Sequence, residues 1–169
     1  MLCVFMLNSC FMNMLYRSYE LNLDTDYSQF YLVDGDRGLS QSLWLDEEDF
    51  FSRIDSSNGI IVVRTERSGV LRVIVDVVDK KPELQNQDSY DHIVECSIEI
   101  TSGHFMIKDC PDFQTVKDMK LPSGYYRVRI CSANLSTVDS DYSGNDYYTL
   151  VLWKEEKMSE KTVVKQYID

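Results

Sequence analysis

The segment 139–146 carries the clearest chemical pattern in the chain, because oxygen-bearing side chains recur there at alternate positions. Asp139, Asp141 and Ser143 match positions 1, 3 and 5 of a calcium loop, with glycine following at position 6. Position 12 of such a loop is a bidentate Glu, but here it is Leu150, and the flanking residues alternate as strands do. The segment is therefore not an EF-hand. It is either an inter-strand loop of turn-forming residues or a partial calcium site. The candidate ligands are Asp139, Asp141, Ser143 and Asp146.

The two histidines are the candidates for acid–base chemistry. His92 is in phase with the apolar positions of a predicted strand, and His104 begins the next strand after a tight turn. A nucleophilic triad needs a base that a carboxylate orients, and neither histidine stands in a recognisable motif of that kind. Catalytic zinc normally takes three protein ligands, and no glycine-rich phosphate loop is present. We therefore predict a protein that is not an enzyme. A β-sandwich enzyme that depends on His92 or His104 is the least favoured alternative.

Two sets of residues have the types found in protein interfaces. The first is a run of acids that begins a predicted helix over 46–54, where Asp46 caps the helix and Arg53 lies near its end. Helix stabilisation explains these residues, and an acidic docking helix is the alternative. The candidate contacts are Asp46, Glu47, Glu48 and Asp49.

The second set lies on a strand that follows the turn Pro122-Ser123-Gly124. Tyr126 and the apolar residues in phase with it form the buried face of this strand, and the opposite face is predicted to be wet. Tyr147 and Trp153 of a later strand could share this sheet face, but the phase of Trp153 depends on the strand register. Arg and aromatic side chains are typical of interfaces, and cross-strand pairing within the sheet is the alternative explanation. The candidate contacts on the wet face are Tyr125, Arg127 and Arg129.

All of these residues lie on predicted strands, on one short helix, or in the short turns and loops between them. Alternating or continuous apolar runs predict strands at 15–23, 28–33, 60–63, 70–78, 92–101, 104–108, 115–121, 125–130 and 146–153. The run at 60–63 is apolar throughout, which predicts a strand covered on both faces. About eight or more short strands at this spacing indicate an all-β fold, an antiparallel β-sandwich with one short helix.

Residues 15–153 are predicted to form one β-sandwich domain. Residues 1–14 are an uncharged apolar extension, too short to span a membrane and without the basic region of a secretory signal. We interpret them as a mis-assigned start, with translation beginning at Met12 or Met14. Residues 154–169 form a charged tail that we expect to be frayed or weakly helical.

Charge and cysteine usage narrow the class of partner. The chain has 17 basic and 28 acidic residues and a net charge of −11, which repels nucleic acid and anionic membranes and attracts basic partners. The alternative explanation is that the acidity only keeps the protein in solution. Five cysteines, an odd number without C-x-x-C spacing, indicate a reducing compartment and a cytoplasmic location. We expect a protein partner and no cofactor, calcium being the alternative.

Four segments carry a family resemblance: DTDYSQFYLVD at 24–34, YDHIVECS at 90–97, LPSGYYRVR at 121–129, and 146–153. Over residues 19–153 the chain resembles a family of uncharacterised bacterial all-β proteins. Its strand at 121–130 is similar to that of the competence protein J family, which are inhibitors of a DNA-entry nuclease. The second resemblance implies an acidic cytoplasmic protein that binds and silences a nuclease.

These observations predict a small acidic binding protein of the immunity or inhibitor type, which neutralises a basic nuclease or toxin. The alternative is a ligand- or calcium-binding β-module that uses the loop 139–146.

Overall fold

The computed structural model describes residues 15–38, 47–57 and 59–168, except for the side chains of residues 15, 16, 47 and 48. In this part of the chain, eleven strands form two sheets that share a core, and there is one α-helix, α1 (Glu47–Ser52). None of the described helices is long and apolar enough to cross a membrane. The predicted start of the protein, within residues 1–14, lies outside the described residues, as does Asp46.

The larger sheet has six strands and the smaller sheet has five. The spatial order of the larger sheet is β1 (Leu15–Asp24), β5 (Val70–Val78), β10 (Tyr147–Glu155), β9 (Gly124–Ala133), β6 (His92–Ile100), β11 (Thr162–Lys165). The order of the smaller sheet is β3 (Ile54–Ser57), β4 (Ile60–Arg64), β2 (Gln29–Asp34), β7 (His104–Lys108), β8 (Thr115–Lys120). Neighbouring strands are antiparallel except β5 and β10, which run parallel. The predicted all-β sandwich with one short helix is confirmed.

The core lies between the sheets and is built by alternation along the strands. The inward residues of β5 are fully buried, as are those of β6, and they meet Phe30, Leu32 and Ile107 of the smaller sheet in one cluster. Each fully buried Leu, Ile or Val contributes roughly 1.5–3 kcal/mol of transfer free energy. The apolar run of β4 is buried on both faces, as predicted, because a second cluster forms on the outer side of its sheet.

Two predicted elements differ in the structure. The helix ends at Ser52 rather than at Ile54, because Arg53 takes a left-handed conformation with φ 60° and turns the chain so that buried Ile54 begins β3. The predicted frayed or weakly helical tail is wrong at Thr162–Lys165, which forms β11 along β6. Pairing with β11 satisfies backbone groups of β6 that a sheet edge would leave unpaired.

A buried carboxylate joins the smaller sheet to the turn between β6 and β7. Asp34, 1% exposed at the end of β2, accepts hydrogen bonds from the backbone N–H and the hydroxyl of both Thr101 and Ser102, at 2.6–3.1 Å. Arg37 adds an ion pair at 3.1 Å. Burial by itself would raise the pKa of Asp34, but the hydrogen bonds from Ser102 and Thr101 outweigh it and lower the pKa from 3.8 to about 2.

The first prediction concerns this carboxylate. Since its pKa is lower in the folded protein, its contribution to stability is complete above about pH 4 and is lost as the pH falls towards 2. We expect Asp34→Asn to lower the free energy of unfolding at pH 7 by about 2 kcal/mol. Urea titrations at several pH values measure this. The exposed neighbour Asp36 is the control, and Asp34 has no such role if Asp34→Asn behaves like Asp36→Asn.

Candidate functional site

The predicted contact residues of the larger sheet share one face, as the alternation requires. In the antiparallel pairing of β9 with β10, Arg127 lies opposite Trp153, and Tyr125 lies opposite Glu155. Arg129 follows two positions along β9 and therefore points to the same side. The register of the strands, which the sequence does not contain, brings these side chains together.

Exposure of this face was predicted wrongly for the two arginines. Arg127 is 6% exposed, Arg129 is 4% exposed, and Trp153 is buried beside them, whereas Tyr125 is half-buried. Two irregular segments lie over the outer face of the sheet: the connection after β5 contacts Arg129 through the Pro82 carbonyl, and the chain after β10 contacts Arg127 through the Ser159 carbonyl. Whether Arg127 and Arg129 contact a partner stays a prediction.

Glu95 of β6 is the counter-charge that the two buried arginines share, and it was not singled out from the sequence. Its Oε1 accepts a hydrogen bond from Arg129 Nε at 2.7 Å, and its Oε2 lies 3.5 Å from Arg127 Nε. Lys81 Nζ lies 3.8 Å from the same Oε2. We call Glu95, Arg127 and Arg129 the ion cluster. The sequence does show that Glu95 and Arg129 both occupy the polar phase of alternating strands. It does not show that they pair, because the pairing depends on the register between the strands.

A groove of about 620 Å³ opens over the ion cluster. Its floor contains the ion cluster and Trp153, and its walls come from the Lys81–Leu84 segment and from the chain between Glu155 and Val164. The Cζ atom of Arg129 lies 5.1 Å from the centre of the Trp153 ring, close enough for a cation–π contact. The groove therefore combines fixed charges with an aromatic surface.

Helix α1 presents an acid beside two exposed aromatic rings. Asp49 forms an ion pair with Lys161 at 2.6 Å. Phe50 is 51% exposed and Phe51 is 60% exposed, and the guanidinium of Arg64 lies 4.0 Å from the centre of the Phe50 ring. The charge pattern of the sequence predicted a contact role for the acids of this helix but not for Phe50 or Phe51. Asp46 lies outside the described residues, and for Glu47 and Glu48 the structure describes only the backbone.

The loop 139–146 uses its two outermost carboxylates within the protein. Asp139 Oδ1 accepts hydrogen bonds from the backbone N–H groups of Asp141 and Ser143 at 2.9 and 3.0 Å, which is an Asx-type turn. Buried Asp146 pairs with Arg67 at 2.6 Å. Among the residues that the structure describes, no group of three or more His, Cys, Asp or Glu side chains is arranged to hold a metal ion. Calcium binding here stays a prediction.

The histidines occupy opposite environments. His92 is fully buried, its Nε2–H donates to the Ser52 carbonyl at 3.0 Å, and its Nδ1 accepts from the Tyr167 N–H at 3.3 Å. Burial lowers the pKa of His92 to about 4, although the bond to Ser52 opposes the shift. His104 is paired with Asp118 on the surface at 2.9 Å. The geometry of His92 is that of a structural link between α1 and the C-terminal segment.

Comparison with known proteins places the fold. No protein-family model matches the chain, and no curated protein sequence matches it significantly. Among solved structures, it is similar to ComJ from Bacillus subtilis, described as an inhibitor of the DNA-degrading activity of NucA, with a TM-score of 0.65 and 17% identity. The likeness covers 82% of this chain and 98% of ComJ. A protein described as crocagin biosynthetic gene J gives a TM-score of 0.49 at 15% identity, over 82% of this chain and 96% of that protein. The resemblance to the competence protein J family is confirmed at the level of the fold.

The second prediction tests the ion cluster. Glu95→Gln leaves two buried guanidinium groups without a counter-charge, and we expect it to lower the free energy of unfolding by about 3–5 kcal/mol. Glu99→Gln is the matched control because Glu99 lies on the same face of the same strand but is exposed. Its effect should stay within about 0.5 kcal/mol. Equal effects of the two variants in chemical denaturation would contradict the assignment.

The third prediction concerns His92. Since its pKa falls from 6.5 in the unfolded chain to about 4 in the folded protein, stability should decline by up to roughly 3 kcal/mol as the pH drops from 6.5 to 4. His92→Gln removes the titrating group and should flatten this part of the stability–pH curve. A slope that is the same in wild type and His92→Gln would show that His92 is not the cause.

Proposed function

We propose that the protein is a non-enzymatic inhibitor that binds and silences a basic nuclease or a basic toxin. The observation that carries the proposal is the likeness to ComJ, which extends over 98% of the ComJ chain. A nuclease inhibitor needs a rigid scaffold and a contact surface, and a two-layer sandwich with a continuous core supplies the first.

Charge supports a basic target. The net charge of −11 gives the protein a negative field, and an enzyme that binds DNA presents a positive cleft to its substrate. Complementary fields raise the rate of association and suppress binding to acidic proteins. We therefore expect the inhibitor to compete with DNA for the cleft of the nuclease.

Helix α1 is the proposed contact. Aromatic side chains at the centre of an interface commonly provide most of the binding energy, and charged side chains at its rim set orientation and rate. Phe50 and Phe51 are exposed aromatic residues directly after the acids of α1. Tyr125 is a second candidate, beside the shallow depression lined by Lys154 and Glu155. Arg127 and Arg129 would reach a partner only if the covering segments moved aside.

The direct test is a DNA-degradation assay. Purified NucA from Bacillus subtilis, and any nuclease encoded beside this protein's own gene, are assayed with and without the protein. We expect stoichiometric inhibition of at least one of them that weakens as the salt concentration rises. An unrelated protein of equal negative charge is the control. Unchanged degradation by every nuclease at an excess of the protein would contradict the proposal.

The fourth prediction locates the contact. Phe51→Ala removes an exposed aromatic anchor without opening the core, so folding should be unaffected and the inhibition constant should rise about tenfold or more. Tyr142→Ala is the matched control, because Tyr142 is also an exposed aromatic residue (63%) but belongs to the loop 139–146 and not to α1. If the wild-type protein inhibits the nuclease and Phe51→Ala inhibits it equally well, the contact does not include Phe51 of α1.

A further inference from the structure

We propose that the groove over the ion cluster binds a small organic acid, with its carboxylate on the guanidinium fork of Arg129 and its apolar body against Trp153. This site is separate from the nuclease contact proposed on α1. Three observations support this binding site: the unequal hydrogen bonding of the two buried arginines, the charges around Arg129, and the size of the groove.

The two arginines are satisfied to different degrees. The terminal nitrogens of Arg127 donate to the Ser97 hydroxyl, the Ser159 and Glu160 carbonyls and the Thr162 hydroxyl, at 2.9–3.2 Å. Those of Arg129 both point at one acceptor, the Pro82 carbonyl, and each lies 3.4 Å from it. Good N–H···O bonds are about 2.7–3.2 Å long, so the terminal fork of Arg129 is weakly paired although the residue is buried.

A carboxylate suits this fork better than a carbonyl does. The two terminal nitrogens of a guanidinium donate parallel hydrogen bonds to the two oxygens of a carboxylate, and such bidentate pairs are the strongest that Arg forms. Glu95 already occupies the Nε side of Arg129 at 2.7 Å. A ligand carboxylate would displace the Pro82 carbonyl from the opposite edge of the guanidinium, which requires a local shift of the Lys81–Leu84 segment.

The charges around the fork favour an anion at this point. Buried in the floor are the two guanidinium groups and one carboxylate, Glu95, and the ammonium group of Lys81 stands 3.8 Å from it. Two other carboxylates line the groove: Glu155 accepts a hydrogen bond from the Ser97 hydroxyl, and Glu83 is exposed to solvent. The whole groove lining has three basic and three acidic side chains, so the excess of one positive charge is confined to the buried residues Glu95, Arg127 and Arg129.

The groove also has the size and the walls that an organic ligand needs. Its volume of about 620 Å³ lies within the range of roughly 300–1,000 Å³ typical of small-molecule sites. Trp153 forms an aromatic wall next to Arg129, and Leu84 and Val164 add apolar surface. Inorganic anions would use the charges but not these walls. An acid with a flat or aliphatic body would use both.

The experiment uses phenylacetate as the probe and phenylacetamide, its neutral isostere, as the control. Binding to the full-length protein is followed by NMR, on the indole N–H of Trp153 and the Nε–H of Arg129. We expect saturable shifts of both signals with phenylacetate, and at least about tenfold weaker binding of phenylacetamide. The absence of saturable shifts, or equal binding of the two compounds, would overturn the proposal.

Two variants separate the site from general charge effects. Lys81→Glu reverses an exposed charge at the rim of the groove, and we expect it to weaken phenylacetate binding about tenfold. Lys157→Glu makes the same change in net charge at an exposed residue outside the groove lining, and it should bind as wild type does. Equal affinities of these two variants would also overturn the proposal.

Arg129→Lys tests the fork itself. It keeps the positive charge but loses the planar pair of donors, and we expect binding to weaken while the fold persists. Since Arg129→Lys changes a member of the ion cluster, its stability is measured in parallel. If Arg129→Lys does not fold, the binding measured with Lys81→Glu decides the proposal. Nuclease inhibition by Lys81→Glu is measured separately, so a failure of the organic-acid site and a failure of the inhibitor function are distinguishable.

Discussion

Two guanidinium groups share one buried carboxylate on the outer face of the larger sheet, and much of the outer architecture follows from that arrangement. Charges placed on a sheet face are stable only when they are solvated or when they are paired and fully hydrogen-bonded. Arg127 and Arg129 are paired with Glu95. Carbonyls and hydroxyls meet the remaining donors of Arg127, and the terminal nitrogens of Arg129 face one carbonyl of a covering segment at 3.4 Å. The charges therefore hold these segments in place, and the segments leave Arg127 and Arg129 only 6% and 4% exposed.

The C-terminal segment links this cover to helix α1. After passing over Arg127 and pairing with β6, the chain reaches Tyr167, whose N–H donates to buried His92. The other ring nitrogen of His92 donates to the last residue of α1, and the Gln166 side chain donates to the Phe51 carbonyl at 3.0 Å. The proposed nuclease contact and the groove thus share one support, and loss of the C-terminal segment would affect both.

The strands were predictable to within a few residues, because period-2 alternation is a local property of the chain. Val70–Val78 and His104–Lys108 have the predicted bounds. The misplaced elements depended on distant partners. The apolar side chain of Ile54 fits the end of a helix as well as the start of a strand. In the structure it is buried in the core and pairs with β4, so Ile54 begins β3. Thr162–Lys165 has no strong pattern of its own and is a strand because β6 lies beside it.

The amino-acid sequence by itself determined the all-β class, the two-sided burial of β4, the acidity, and the common face of Tyr125, Arg127 and Arg129. Each of these depends on composition or on alternation along one strand. Only the tertiary structure decided that this face is covered, that Glu95 lies between the arginines, and that Phe50 and Phe51 remain in water. Those outcomes depend on register between strands and on segments far apart in the chain, since long-range packing sets the exposure of a residue.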